Sequence, residues 1–143
     1  MKDRVHLFTK EEFVLLAACA GIHRMYGFET GADALKREGA IAALQKLHVR
    51  GCVETEDDRF RLCGETKDLF AGIREAATTL EVRKSNGRSC MIYIGSEAVR
   101  VAPSVRRQGM LEVQGIAVAD LWDFLQDEGW ISKEQEERME EIL

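Results

Sequence analysis

The sequence predicts an α+β fold: N-terminal helices carrying a winged-helix-like hairpin, a four-stranded antiparallel meander, and C-terminal helices. Three observations predict it. Residues 42–62 read as a helix, a tight turn and two short alternating strands. The apolar period changes from helical to alternating near Thr78, and a helical period returns at Val118. A chain of 143 residues buries one good core. We therefore read a single domain over 1–143, with a helical part (1–78) and a part that carries the sheet and C-terminal helices (79–143).

Each element has a local cause. Thr9 and Glu12 form a capping box that starts a helix, and Gly21 stops it. Its segment Phe13–Ala20 is apolar on nearly every side, which marks it as central to the core. His23–Asp33, with Gly27 and Gly31, reads as a loop. A second helix runs from about Ala34 or Lys36 to Arg50, with Gly39 as a possible bend, Leu44 and Leu47 on one face, and Gly51 at its stop. Cys52–Thr55 and Arg59–Leu62 then alternate around an acidic turn. If Glu54 faces Arg61 and Thr55 faces Phe60, Cys52 lies opposite Cys63. That register permits a disulfide, although a reducing cytosol favours two thiols. A third helix, about Glu65 to Ala77, places Leu69, Phe70, Ile73 and Ala77 on one face.

Beyond Thr78, Leu80 and Val82 alternate with Glu81 and Arg83, and Asn86-Gly87 is a hairpin signal. Cys90–Ile94, Ala98–Val101 and Met110–Ile116 complete the meander, with Pro103 just past the third strand. The loop Ser104–Gly109 holds Arg106 and Arg107. Val118, Leu121, Trp122 and Leu125 recur at helical spacing, Gly129 marks a stop, and Trp130 follows it. Ser132 with Gln135 caps a last helix to Leu143.

Composition and motifs exclude more than they name. Hydrophobic residues at 45% and charged residues at 31% describe a soluble globular chain. The longest apolar run, Phe13–Ala20, is too short to cross a bilayer, and no signal-peptide pattern follows Met1–Arg4, so the expected compartment is the cytoplasm. The cysteines Cys19, Cys52, Cys63 and Cys90 contain no CxxC pair, and His6, His23 and His48 have no companion at ligand spacing; we expect no metal. No phosphate cradle and no specified nucleophile–base pair appears, so we expect neither a cofactor nor an enzyme. Residues 117–143 hold nine acidic and two basic side chains, which makes that stretch −7 against a total of −5. An acidic tail argues against general nucleic-acid binding.

DNA binding is nonetheless the rival reading. The second helix carries Lys36, Arg37, Lys46 and Arg50 against Glu38 and precedes a wing-like hairpin, as in many transcription regulators. Two features count against it. The hairpin tip is Glu56-Asp57-Asp58, whereas a wing on DNA needs cations. The helix also lacks a run of polar side chains suited to base edges.

The order of elements resembles one half of the EspG-type chaperones of type VII (ESX) secretion systems. The resemblance rests on FTKEEFVLLAACAG, then ALQKLHVRGCVETEDDRFRL, then IREAATTLEVRKS running into SCMIYIGSEAVRVAPS…GMLEVQGI, and finally VADLWDFLQDEGWI. Leu80-Glu81-Val82-Arg83 and the strand Gly95–Val101 match the family's strand entry. It implies a cytosolic, non-enzymatic adaptor that binds a helical secreted protein of a type VII-like system, without a cofactor. The family's chaperones contain two such halves, so a half-length chain implies a homodimer. Apolar residues on both faces of the meander mean that helices cover the sheet on both sides or that it offers surface to another chain. Tyr93, Val99, Val101, Leu111 and Val113, with Arg106 and Arg107 beside them, are the candidate partner-binding residues.

Overall fold

Thr9 ends a strand and begins a helix. In the computed structural model, which describes residues 4–22, 37–57, 59–84 and 87–127, β1 (Val5–Thr9) runs directly into α1 (Lys10–Cys19). Thr9 Oγ1 accepts the Glu12 N–H at 3.1 Å and the Thr9 N–H donates to Glu12 Oε1 at 2.8 Å, so both halves of the capping box form. Gly21, at φ +80°, closes the far end in a Schellman motif, with the Ile22 N–H on Ala17 O at 2.9 Å. α2 (Arg37–Val49) stops in the same way at Gly51, where the Cys52 N–H reaches Leu47 O at 2.9 Å.

The hairpin β2 (Val53–Glu56) and β3 (Arg59–Leu62) has the expected register, Glu54 opposite Arg61 and Thr55 opposite Phe60. Cys52 and Cys63 are therefore adjacent across it, with the Cys63 N–H on Cys52 O at 3.0 Å, and both thiols are free. α3 (Gly64–Arg74) follows and buries Leu69, Phe70 and Ile73. It ends three residues earlier than the periodicity predicts. Ala77 leaves the helix because its N–H is taken by Ile94 O at 2.9 Å, as the chain enters the next strand.

The large sheet is five-stranded, not four-stranded. β4 (Thr78–Arg83), β5 (Ser89–Ile94), β6 (Ala98–Pro103) and β7 (Met110–Ile116) pair in sequence, and β1 adds to the far side of β7, for an order of β1-β7-β6-β5-β4. All pairs are antiparallel. β1 escapes a sequence reading because its five residues are short and its partner is distant: Val5 sits opposite Gln114. The N-terminal part of the chain thus contributes a strand to the sheet of the C-terminal part. Asn86, Gly129, Trp130, His23, Lys36 and the last helix to Leu143 lie outside the described residues. Among the described residues, no helix is long and apolar enough to cross a membrane.

Alternation gives each face its own core. On one face Phe8, Tyr93, Val99, Val101, Leu111 and Val113 meet Phe13, Leu16 and Ala17 of α1 and Leu69, Phe70 and Ile73 of α3. On the other face Cys90, Ile92, Ala98, Ala102 and Ile116 meet Leu121 and Leu125 of α4 (Leu121–Asp127), which follows a 3₁₀ turn at Val118–Asp120. Burial on this second face pushes the Cys90 thiol up to about 11, which keeps it protonated and unreactive.

Two arginines tie these layers. Arg50, just past α2, donates through Nη2 to Leu7 O at 2.6 Å and through Nη1 to Glu12 Oε2 at 3.2 Å, and lies 5.2 Å from the Phe8 ring centroid. Arg100 of β6 is buried at 5% exposure on the second face. Its Nη2 donates to Glu112 Oε1 and Gln114 Oε1, each at 3.2 Å, and its guanidinium lies 5.5 Å from the Phe124 ring centroid.

Helix glycines report how close α3 comes to the sheet. A Cβ at Gly72 would stand 2.9 Å from Cγ2 of Val99, a buried β-branched side chain that is stiff at χ1, whereas one at Gly39 of α2 meets nothing within 4 Å. Gly72→Val should therefore lower stability by roughly 1–3 kcal/mol through overpacking, and Gly39→Ala should raise it by roughly 0.5–1 kcal/mol through helix propensity. Urea titrations of the two variants check the opposite signs.

Candidate functional site

A concavity lies where α3 crosses the start of β6 and the end of β7. It is a cleft of about 420 Å³ lined by Arg4 and His6 on the β1 side, by Glu65, Asp68, Leu69, Ala71 and Gly72 of α3 with Glu75 at its C-cap, by Ser96 and Glu97 of the β5–β6 turn, and by Ala98, Val99 and Gly115 of the sheet. Each wall has a sequence cause. Glu65, Asp68, Gly72 and Glu75 recur at helical spacing, so α3 turns its apolar stripe inward and this stripe to one side. Gly72 sets the depth, since only a hydrogen there lets the helix approach Val99. On the opposite wall the turn between β5 and β6 is closed by the Gly95 N–H on Glu97 O at 2.9 Å.

A His–Glu pair spans the cleft. His6 Nε2 lies 2.9 Å from Glu65 Oε2 and joins β1 to the first turn of α3 across 59 residues of sequence. An ionised carboxylate only accepts, so Nε2 carries the proton. The His6 ring also lies parallel to Phe8, with centroids 6.3 Å apart and 7° between the planes. The hydrogen bond from His6 holds the Glu65 carboxyl below its ordinary value of 4.5. Ser96 lines the same cleft, but His6 bonds to Glu65 and not to it, so nucleophile and base are not paired. Among the described residues no group of three or more His, Cys, Asp or Glu is placed to hold a metal ion.

The cleft is acidic at its rim and apolar at its floor. Glu65, Asp68, Glu75 and Glu97 outnumber Arg4 and His6, with Glu65 bonded to His6 and Glu75 3.5 Å from Arg74 Nη2, while Leu69, Ala71, Gly72, Ala98 and Val99 form an apolar base.

The seven residues singled out from sequence do not form one surface. Tyr93, Val99, Val101, Leu111 and Val113 are 0–3% exposed and belong to the core under α1 and α3. In this conformation their side chains pack within the chain and present no outer surface. The reason is the fifth strand and the two helices, which complete a layer over the face that these residues share. Val99 alone also touches the cleft. Arg106 and Arg107 are exposed in the β6–β7 loop at the opposite end of the sheet, where the Arg107 N–H donates to Ser104 Oγ at 3.2 Å. Sequence reasoning missed His6 and Glu65 as a pair. The spacing of Glu65, Asp68 and Glu75 was the signal available, and it reads equally as a solvated helix face.

No family model, no curated protein and no solved structure matches the chain.

The His6–Glu65 pair makes a signed prediction. A lowered carboxylate value means that the pair supports the fold above the unfolded value and that this support is lost as pH falls through the folded value, so it fades in acid. Carbon-detected NMR should place the Glu65 midpoint below 4.5, and His6→Ala should return it toward 4.5. An unchanged midpoint in His6→Ala would remove His6 as the cause.

Proposed function

We propose that this chain is a cytoplasmic, non-enzymatic adaptor that binds another protein through the cleft between β1, α3 and the β5–β6 turn. The observation that carries the reading is the placing of two exposed carboxylates, Asp68 and Glu75, beside an apolar floor, geometry suited to a basic side chain presented by a partner. Following the resemblance to EspG-type chaperones, the partner is a helical secreted protein of a type VII-like system, docked by a basic residue on one of its helices. The winged-helix-like unit of α2 with β2 and β3 then serves packing.

The same unit is the basis of the alternative, a DNA-binding regulator, and its side chains favour the adaptor. Arg50 is committed to Leu7 O, Glu12 and the Phe8 ring. At the hairpin tip Arg61 is paired with Glu56, which leaves Asp57 as an exposed acid where a wing would meet phosphates.

The deciding experiment co-expresses the chain with small helical WxG-type and LXG-type secreted proteins and measures recovery of a complex. Asp68→Lys with Glu75→Lys should reduce the recovered complex at least tenfold while circular dichroism stays unchanged, because both side chains are exposed and neither holds the core. No complex with any such protein, or one indifferent to the charge reversal, would overturn the reading. A nanomolar, sequence-dependent shift of DNA that weakens steeply with salt would establish the alternative.

A further inference from the structure

The two edges of the large sheet are treated differently. The β1 edge is closed by a side chain: Arg50 Nη2 occupies Leu7 O at 2.6 Å and its guanidinium lies over Phe8. The β4 edge has six residues with no proline, and among the described residues nothing pairs with its outer side. Natural sheets rarely leave such an edge without a device to blunt it.

The phase of the ladder says which groups that edge offers. The Lys84 N–H donates to Arg88 O at 2.7 Å, and the strand register continues from there. Alternation therefore turns the backbone groups of Val82 and Leu80 toward β5, and those of Arg83, Glu81 and Thr79 outward. The side chains follow the opposite logic of the pleat. Leu80 and Val82 stand on the second face beside Ile92 and Cys90 and are only partly buried, whereas Glu81 and Arg83 pair with each other at 2.8 Å on the first face. That pair neutralises the edge, so it carries no excess charge of one sign to repel a copy.

We propose that the chain is a homodimer in which β4 pairs antiparallel with β4 of a second copy, joining two five-stranded sheets into one of ten. The inference stands independently of the adaptor reading. A two-fold axis must set outward-facing residues opposite one another, which leaves few registers. With Leu80 on the axis, Thr79 faces Glu81 of the second copy, the two exchange both backbone hydrogen bonds, and Leu80 packs on its equivalent on the apolar second face. Sliding one step sets Glu81 against Glu81 of the second copy, and like charges directly opposite are destabilising. Sliding a further step puts Val82 on the axis, shortens the overlap and lays Leu80 against a lysine. The Leu80 register satisfies hydrogen bonding, charge and burial together, and this self-complementarity selects a second copy over an unrelated strand.

Sedimentation equilibrium of the full chain at micromolar to tens of micromolar concentration should return a mass approaching twice the 16.1 kDa of one chain, rising with concentration. Glu81→Pro removes an outward N–H and spares the ladder to β5, and it should weaken dimerisation at least tenfold. Leu80→Lys should do the same if the proline variant fails to fold. In a Cys19→Ser background, Leu80→Cys should oxidise to a covalent dimer, since residues facing across a non-hydrogen-bonded pair come within about 4.5 Å, and Val82→Cys should not. A single 16.1 kDa species at every concentration, a dimer indifferent to both edge variants, or preferred cross-linking at position 82 would each overturn the proposal.

Discussion

Three phenylalanines from three elements hold this fold together. Phe8 of β1 meets the edge of Phe70 of α3 at 6.3 Å between centroids, and Phe13 of α1 meets Phe70 at 5.2 Å; all three are fully buried. Each ring removes a large apolar area from water, and the tilted contacts add a directional term beyond area. The consequences spread outward. Seating Phe8 makes the first residues of the chain a strand on β7, seating Phe13 places α1 across the sheet, and seating Phe70 fixes the rotation of α3. The cleft is the remainder of that arrangement, because the face of α3 opposite Phe70 carries its carboxylates to the rim.

The position of β1 has a second effect, through Arg50. A guanidinium that reaches a strand carbonyl, a helix carboxylate and an aromatic face at once couples α2 to both α1 and β1. It also gives a basic residue that follows a helix and precedes a hairpin a structural role inside the chain. Arg50 uses both of its terminal nitrogens on groups of its own chain. Sequence alone counts cations, and only the structure shows which of them are occupied.

The second face of the sheet is built with less margin. Arg100 is buried among apolar neighbours, uses Nη2 for Glu112 and Gln114, and leaves Nε without a partner. An unsatisfied buried N–H costs on the order of 1–3 kcal/mol, and the stacking of Phe124 over the guanidinium offsets part of it. An arginine in an otherwise apolar strand also gives β6 a definite facing. A slip of one residue would drive Arg100 into the phenylalanine core, so the residue stabilises the register more than the fold.

What the chain dictated locally was legible at the level of single residues. Thr9 with Glu12, the stops at Gly21 and Gly51, the pairing of Glu54 with Arg61, and the strands at Cys90–Ile94 and Met110–Ile116 all follow from backbone limits that act within a few positions. Tertiary structure decided the rest. Val5–Thr9 is a strand because β7, a hundred residues later, lacks a neighbour on that side; Tyr93, Val99, Val101, Leu111 and Val113 are core and not surface because α1 and α3 happen to cover their face; His6 finds Glu65 because β1 and α3 both lean on Phe8 and Phe70. Caps and turns are short-range contacts with a fixed geometry, so a sequence states them outright. Which apolar face is covered, and by what, is settled only when distant segments share one dry interior, and no local pattern contains that information.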